Sequence, residues 1–292
     1  MKHTTKLLLT LLLAGFTGAV NAQINPFDAQ LFQNQYLANP AKAGAEEGAR
    51  LNLGYKNQWS SMPGAPRNSI VSYDTRSNKN GLGLSVFNDK AGLINYTKIL
   101  GTYAYHLPLS GTNEFIHLGV SLGIFRGTLS MDELVADPND PNLVSFNDRQ
   151  MVFDGDVGIA YSSEKFGVEA VLYNLISQIK NDSYNKVDNH TTYFAVDYAF
   201  PVSDWSFKSK IAYRGVRNYT DIVDFAVNGQ TPDEKLDFTV AYHTNKSASF
   251  GIGYWHRKQW QVLGVYNTSP KPINAYVNGT FEVGLKVNLY KK

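Results

Sequence analysis

After residue 22 the chain has no long uncharged apolar run, yet apolar and polar residues alternate in segment after segment. The clearest is 115–125. Ile116, Leu118, Val120, Leu122 and Ile124 fall on one side, and His117, Gly119, Ser121 and Gly123 on the other. A helical repeat of about 3.6 residues cannot make that division, whereas a strand's period of two does. Phe281, Val283, Leu285, Val287 and Leu289 alternate with Glu282, Gly284, Lys286 and Asn288 in the same way, and shorter examples lie at 153–159, 194–198 and 250–254. The pattern demands an all-β chain. It leaves two architectures open. In a soluble sandwich the apolar face is the core; in a membrane barrel it meets lipid and the polar face lines the lumen.

Length and spacing favour the barrel. Fourteen strands are predicted, at 49–59, 67–75, 80–88, 95–107, 114–125, 151–162, 165–176, 189–200, 204–214, 221–229, 235–244, 247–257, 259–268 and 278–290. Several are long enough to cross a bilayer at a tilt, whereas soluble strands average about five or six residues. An even count puts both ends of the barrel on one side. With that side periplasmic, the short connections at 110–113, 162–165 and 201–204 are periplasmic turns, and the long ones at 126–150, 177–188 and 269–277 are all extracellular. Loops around Asp137, Asn185 and Lys271 should then face outward, and Gly111 and Ser163 inward. Tyr105, Tyr161, Tyr198 and Phe200 fall near the lower strand ends, where an aromatic girdle belongs. The expected fold is a transmembrane antiparallel outer-membrane β-barrel of about 14 strands over 49–290. On that scheme Val120→Arg strikes the lipid face, and Ser121→Arg is the milder change.

The remaining segments fit an exported protein. Lys2, His3 and Lys6 precede an apolar stretch from Leu7 to Val20, and Val20-Asn21-Ala22 has the form of a signal-peptidase site. Residues 1–22 are therefore expected to be a signal peptide cleaved near Ala22. Without them the chain carries 25 basic and 25 acidic residues, so nothing marks it for nucleic acid. It has no cysteine, which excludes disulfides, thiolate metal sites and a lipid-anchored N-terminal Cys. Residues 23–48 do not alternate and contain Asn39-Pro40, a turn or helix stop. They form a short N-terminal segment on the periplasmic or luminal side.

No catalytic, cofactor or metal set stands out. Gly81-x-Gly83 lacks the third glycine and following helix of a phosphate loop; in a strand such glycines make room inside the wall. His106 and His117 flank one predicted turn and can be neighbours, but no histidines have metal-pair spacing. Asp132, Glu133, Asp137 and Asp140 form an acidic loop without an EF-hand pattern. Asp154, Asp156, Glu169, Asp197 and Glu282, with Lys98, Lys286 and Lys210, fall on polar faces and would share a lumen. A Ser-His-Asp set can arise by chance among many serines and five mature histidines, and no G-x-S-x-G elbow marks one. A non-enzymatic protein is expected.

Several short motifs occur in order. They are Tyr36-Leu37-Ala38-Asn39-Pro40-Ala41-Lys42-Ala43-Gly44, Tyr55-Lys56-Asn57-Gln58-Trp59, Gly64-Ala65-Pro66, and Gly81-Leu82-Gly83 running on to Asn88-Asp89-Lys90-Ala91-Gly92. Tyr103-Ala104-Tyr105, Leu118-Gly119-Val120-Ser121-Leu122-Gly123 and Glu164-Lys165-Phe166 continue the series. Together they resemble the PorP/SprF family of outer-membrane proteins in the type IX secretion and gliding apparatus of the Bacteroidota. Lys42 departs from a common Tyr, and Lys56-Asn57 from the usual Arg-Asn. Beyond residue 180 only a general barrel pattern is recognisable. The resemblance implies a component that aids export or surface attachment of a secreted, adhesin-like cargo, or contacts the periplasmic secretion and gliding complex. Asn39, Pro40, Gln58, Trp59, Gly64, Pro66, Asn88 and Asp89 are the candidate partner-contact or structural residues. The expected partners are cargo or periplasmic machinery and the lipid bilayer. A small-solute porin is the competing reading, and it needs a continuous aqueous lumen.

Overall fold

Fourteen strands form where the alternation placed them. They are β1 (Gly48–Gln58), β2 (Arg67–Ser77), β3 (Asn80–Ala91), β4 (Ile94–Pro108), β5 (Phe115–Leu129), β6 (Val152–Ser162) and β7 (Phe166–Leu172), followed by β8 (His190–Val202), β9 (Trp205–Val216), β10 (Ile222–Gln230), β11 (Leu236–His243), β12 (Ser247–His256), β13 (Trp260–Asn267) and β14 (Thr280–Asn288). This is a computed structural model that describes residues 32–109, 113–130, 146–147, 151–180, 190–217, 220–270 and 277–289. The predicted signal peptide, residues 23–31, Gly111 and the loop positions Asp132, Glu133, Asp137, Asp140, Asn185 and Lys271 lie outside them.

Each strand pairs antiparallel with its sequence neighbour, and β1 closes the ring on β14 with Leu53 opposite Leu285. Closure leaves no sheet edge at the seam, the condition for a sheet in hydrocarbon. The barrel is inside-out compared with a soluble core. Leu118, Leu122, Ile252 and Phe281 are about half exposed on the outer face, whereas the largest fully buried side chains include Lys56, Lys210, His106, His117, Glu169 and Glu282. That distribution removes the sandwich alternative.

The connections divide by end. At the end where β1 starts and β14 stops the intervals between strands are short, such as 78–79, 163–165 and 203–204; the strand ends joined by the longest intervals, β5 to β6, β7 to β8 and β13 to β14, are all at the other end. By the loop-length rule the first end is periplasmic. There Tyr198 stacks with Phe200 at 6.2 Å, Phe200 with Phe207 at 5.8 Å and Trp205 with Phe207 at 6.2 Å, forming part of the girdle.

One strand departs from the alternation. β7 stops at Leu172, and Leu175–Lys180 forms a helical turn, α1, where the sequence pattern gave strand to 176. Asn174 has φ of 51°, which breaks the extended run. Carboxylates on the polar face of β6 hold the new direction. Asp154 accepts from the amides of Ile176 (2.8 Å) and Ser177 (3.1 Å), and Asp156 from that of Asn174 (2.8 Å). Alternation records which face a residue takes, not whether a carboxylate on the neighbouring strand will capture the chain.

Candidate functional site

Residues 32–47 lie within the barrel. A short helix, Gln35–Ala38, leads into a 3₁₀ turn, Pro40–Lys42. Asn39 starts that turn, its side chain accepting from the Ala41 amide at 2.9 Å while Pro40 supplies a fixed φ at the first position. Asn39, Ala41 and Ala43 are all 0% exposed. Such close seating needs walls without side chains, and glycines on the polar strand faces provide them. A Cβ at Gly119 would overlap Pro40 and Ala41, one at Gly158 would overlap Asn39 and Pro40, and one at Gly81 would overlap the Ala43 carbonyl. Gly83 makes the same room for the Tyr36 ring. Gly44 ends the segment at φ of 68°, a conformation that favours glycine, and its amide donates to Asp74 at 2.8 Å.

Polar contacts fix the plug in place. The Tyr36 hydroxyl shares a hydrogen bond with Thr102 (2.7 Å), which shares another with Ser121 (2.7 Å). Burial pushes the Tyr36 phenol up to about 12, against the pull of its hydrogen bonds to Thr102 and Ser85. Burial also lowers the Lys42 ammonium below its ordinary value, opposed by the nearby charge of Glu169. The Ala43 carbonyl can only accept, so His106 donates to it from Nε2 at 3.0 Å. With both rings neutral, His117 must then donate from Nδ1 to His106 Nδ1 (2.7 Å), and the Ser162 hydroxyl to His117 Nε2 (2.7 Å). The predicted neighbours thus form a relay from the plug to the periplasmic end of β6.

The lumen charges pair across strands. Lys210 meets Glu169 at 2.9 Å, Arg214 meets Asp224 at 2.6 Å, Lys208 meets Asp197 at 2.7 Å, and Lys56 and Lys98 lie 3.6 Å from Glu282 and Asp156. Lys286 donates to the Gln33 carbonyl at 3.3 Å. Asp224, His243 and Ser249 line up as Asp-His-Ser at 2.5 and 2.7 Å. Ser249 and Asp224 are 0% exposed and Arg214 shares the same Asp224 oxygen, so no substrate reaches the hydroxyl. The trio ties β10, β11 and β12 together. Among the described residues no group of three or more His, Asp or Glu is placed to hold a metal.

The structure separates the candidate residues into two places. Asn39 and Pro40 belong to the plug. Gln58, Trp59, Gly64, Pro66, Asn88 and Asp89 lie at the outer ends of β1–β4. Gln58 is buried, bonded through its amide to the Pro66 carbonyl at 2.9 Å and through its side chain to Asn68 at 3.4 Å. Trp59 turns the chain at φ of 50°. The Gly92 amide donates to the Gly64 carbonyl at 2.9 Å, joining the β1–β2 loop to the β3–β4 turn. Asn88 and Asp89 part company: Asn88 faces outward and bonds Asn95 (2.8 Å) and Thr97 (3.0 Å), while Asp89 faces inward beside Asn68 in the ladder. The sequence reading gave Gly81 and Gly83 a space-making role inside the wall but did not extend it to Gly119 and Gly158 or connect it with residues 36–44. The signal for this glycine bed was present in Gly81, Gly83, Gly119 and Gly158, all on polar faces.

A closed antiparallel barrel with an apolar exterior and a charged, occupied interior is an outer-membrane β-barrel. The chain belongs to the family described as type IX secretion system membrane protein PorP/SprF, whose model matches residues 20–287. That is a family of secretion membrane proteins rather than of enzymes, and the match runs well beyond residue 180, where the motifs ended. Solved barrels resemble it in fold alone. The toluene transporter TodX of Pseudomonas putida is 10% identical, with 92% of this chain and 95% of that chain covered at a TM-score of 0.51. A deltaS2 mutant of the TodX monoaromatic hydrocarbon channel is also 10% identical, with 88% and 94% covered at 0.52. No curated protein is significantly similar to the chain.

Proposed function

We propose that this barrel is a non-conducting component of type IX secretion that assists export or surface attachment of a secreted, adhesin-like protein, engaging it at the outer rim built from β1–β4. The reading includes export by a signal peptide cleaved near Ala22, leaving a segment from residue 23 to 48 ahead of the barrel. The observation that carries it is the occupied lumen. A porin needs a water-filled path, and here Asn39–Gly44 rest against bare glycine backbone while the surrounding charges are paired. Function then falls to the surfaces. On the outer rim, Ser60, Ser61, Met62 and Pro63 are exposed on a loop pinned through Gly64 to Gly92, a fixed shape suited to protein contact.

The test is to replace residues 60–63 by Gly-Ser-Gly-Ser in the native host and measure both barrel abundance and cargo display. Normal abundance with lost display is the expected result. Normal display, together with solute-permeable channels from the reconstituted wild-type barrel, would favour the porin instead.

A further inference from the structure

We infer that the outer wall over β4–β8 holds one phospholipid acyl chain from the periplasmic leaflet in a preformed groove. The cavity is about 870 Å³ and lies on the membrane-facing side. Two ladders of outward side chains bound it. Tyr103, Val120, Val157, Leu172 and Thr192 are successive register partners along one side. Tyr105, Leu118, Ile159 and Ala170 are successive partners along the other. Between them lie only inward-facing residues, among them the register partners Gly119 and Gly158, so the floor on this face is backbone.

The groove spans five strands, about 19 Å at a spacing of ~4.8 Å, against roughly 15 Å for one leaflet of the hydrocarbon core. A chain lying obliquely in one leaflet fits that length. Several features point to lipid as the occupant. The groove is continuous with the lipid-facing surface, its lining is almost wholly apolar, and Tyr105 puts its lower edge toward the periplasmic end of β4. At the foot of β6 and β7, Glu164 and Lys165 are exposed, offering both signs of charge to a zwitterionic headgroup. Behind the floor sit Asn39, Pro40 and Ala41. A chain seated outside and the plug inside therefore brace the same two glycines from opposite faces.

The test uses the full-length barrel purified in mild detergent with palmitoyl-oleoyl phosphatidylethanolamine and examined by native mass spectrometry. Ala170→Trp fills the groove from below and Thr192→Phe from above, and Val240→Trp places equal bulk on the exposed face of distant β11. Wild type and Val240→Trp should keep one phospholipid under activation that strips the others. The two groove variants should hold it roughly tenfold less well, the loss expected from a few displaced methylenes. Thr192→Phe carries the comparison alone if Ala170→Trp does not give a heat-modifiable barrel. Equal retention in all folded variants overturns the inference. So does recovery of a lipid-anchored protein, with no phospholipid, from the groove of barrel isolated from cells.

Discussion

The Asn39 side chain donates to Glu169 Oε2 at 3.2 Å across 130 positions of sequence, linking the plug to the barrel wall. The other carboxylate oxygen of Glu169 takes Lys210 at 2.9 Å, so one acid joins the plug, β7 and β9. Asn39→Ala removes this bond together with the cap on Ala41, at a cost of about 1–3 kcal/mol. The barrel should still assemble, with residues 32–47 newly open to protease and with increased conductance in planar bilayers. Unchanged protection would show that Asn39 is not the fastening.

The glycine bed permits a sharper comparison. Gly119→Ala and Gly158→Ala should each expel the 3₁₀ turn, because the added methyl collides with plug atoms. Gly264→Ala adds the same methyl where nothing lies within 4 Å. Conductance and hydrogen exchange at Ala41 and Ala43 should change in the first two and stay at wild-type levels in the third.

Lys42 gives the plug a pH dependence of known sign. Burial lowers its pKa, so the docked plug binds fewer protons than the released one. Below the lowered value the ammonium is charged in both states and its full burial penalty applies; above the ordinary value near ~10.4 it is neutral in both and the penalty is gone. Docking should therefore tighten as pH rises through that window. Lys42→Met should dock more firmly at neutral pH and lose this alkaline rise. Protease protection of 32–47 measured from pH 7 to 10.5 checks both.

Ser121→Arg is not the mild change that alternation implied. Ser121 is 3% exposed and ends the chain of hydroxyls from Tyr36 through Thr102. Val120→Arg should cost about 2–4 kcal/mol by placing charge in lipid. Ser121→Arg should also lower the yield of folded barrel, and the barrels that do form should conduct. The two defects separate in a bilayer recording.

The sequence made the faces legible because a strand writes them residue by residue, as in Leu118 against Gly119. The outer rim was half legible. Gln58, Trp59 and Pro66 could be placed near the ends of strands, yet Asn88 and Asp89, adjacent in sequence, lie on opposite sides of the wall. The interior was the least legible part. Asn39 finds Glu169 and Gly158, and His106 finds Ala43, only after the sheet has curved and closed, and no local period encodes such long-range pairings.

The distribution of the plug's contacts bears on how the barrel can be built. Gly44 meets β2, Tyr36 meets β3 and β4, Pro40 meets β5 and β6, and Asn39 meets β7. The segment leaves the translocation machinery ahead of all of these, and the seam between β1 and β14 closes last in chain order. It therefore need not be threaded into a finished cylinder. The growing sheet can curl around it as around a mandrel, with the N-terminal residues setting the curvature of β2–β7 before Lys286 of β14 reaches Gln33 and the ring shuts.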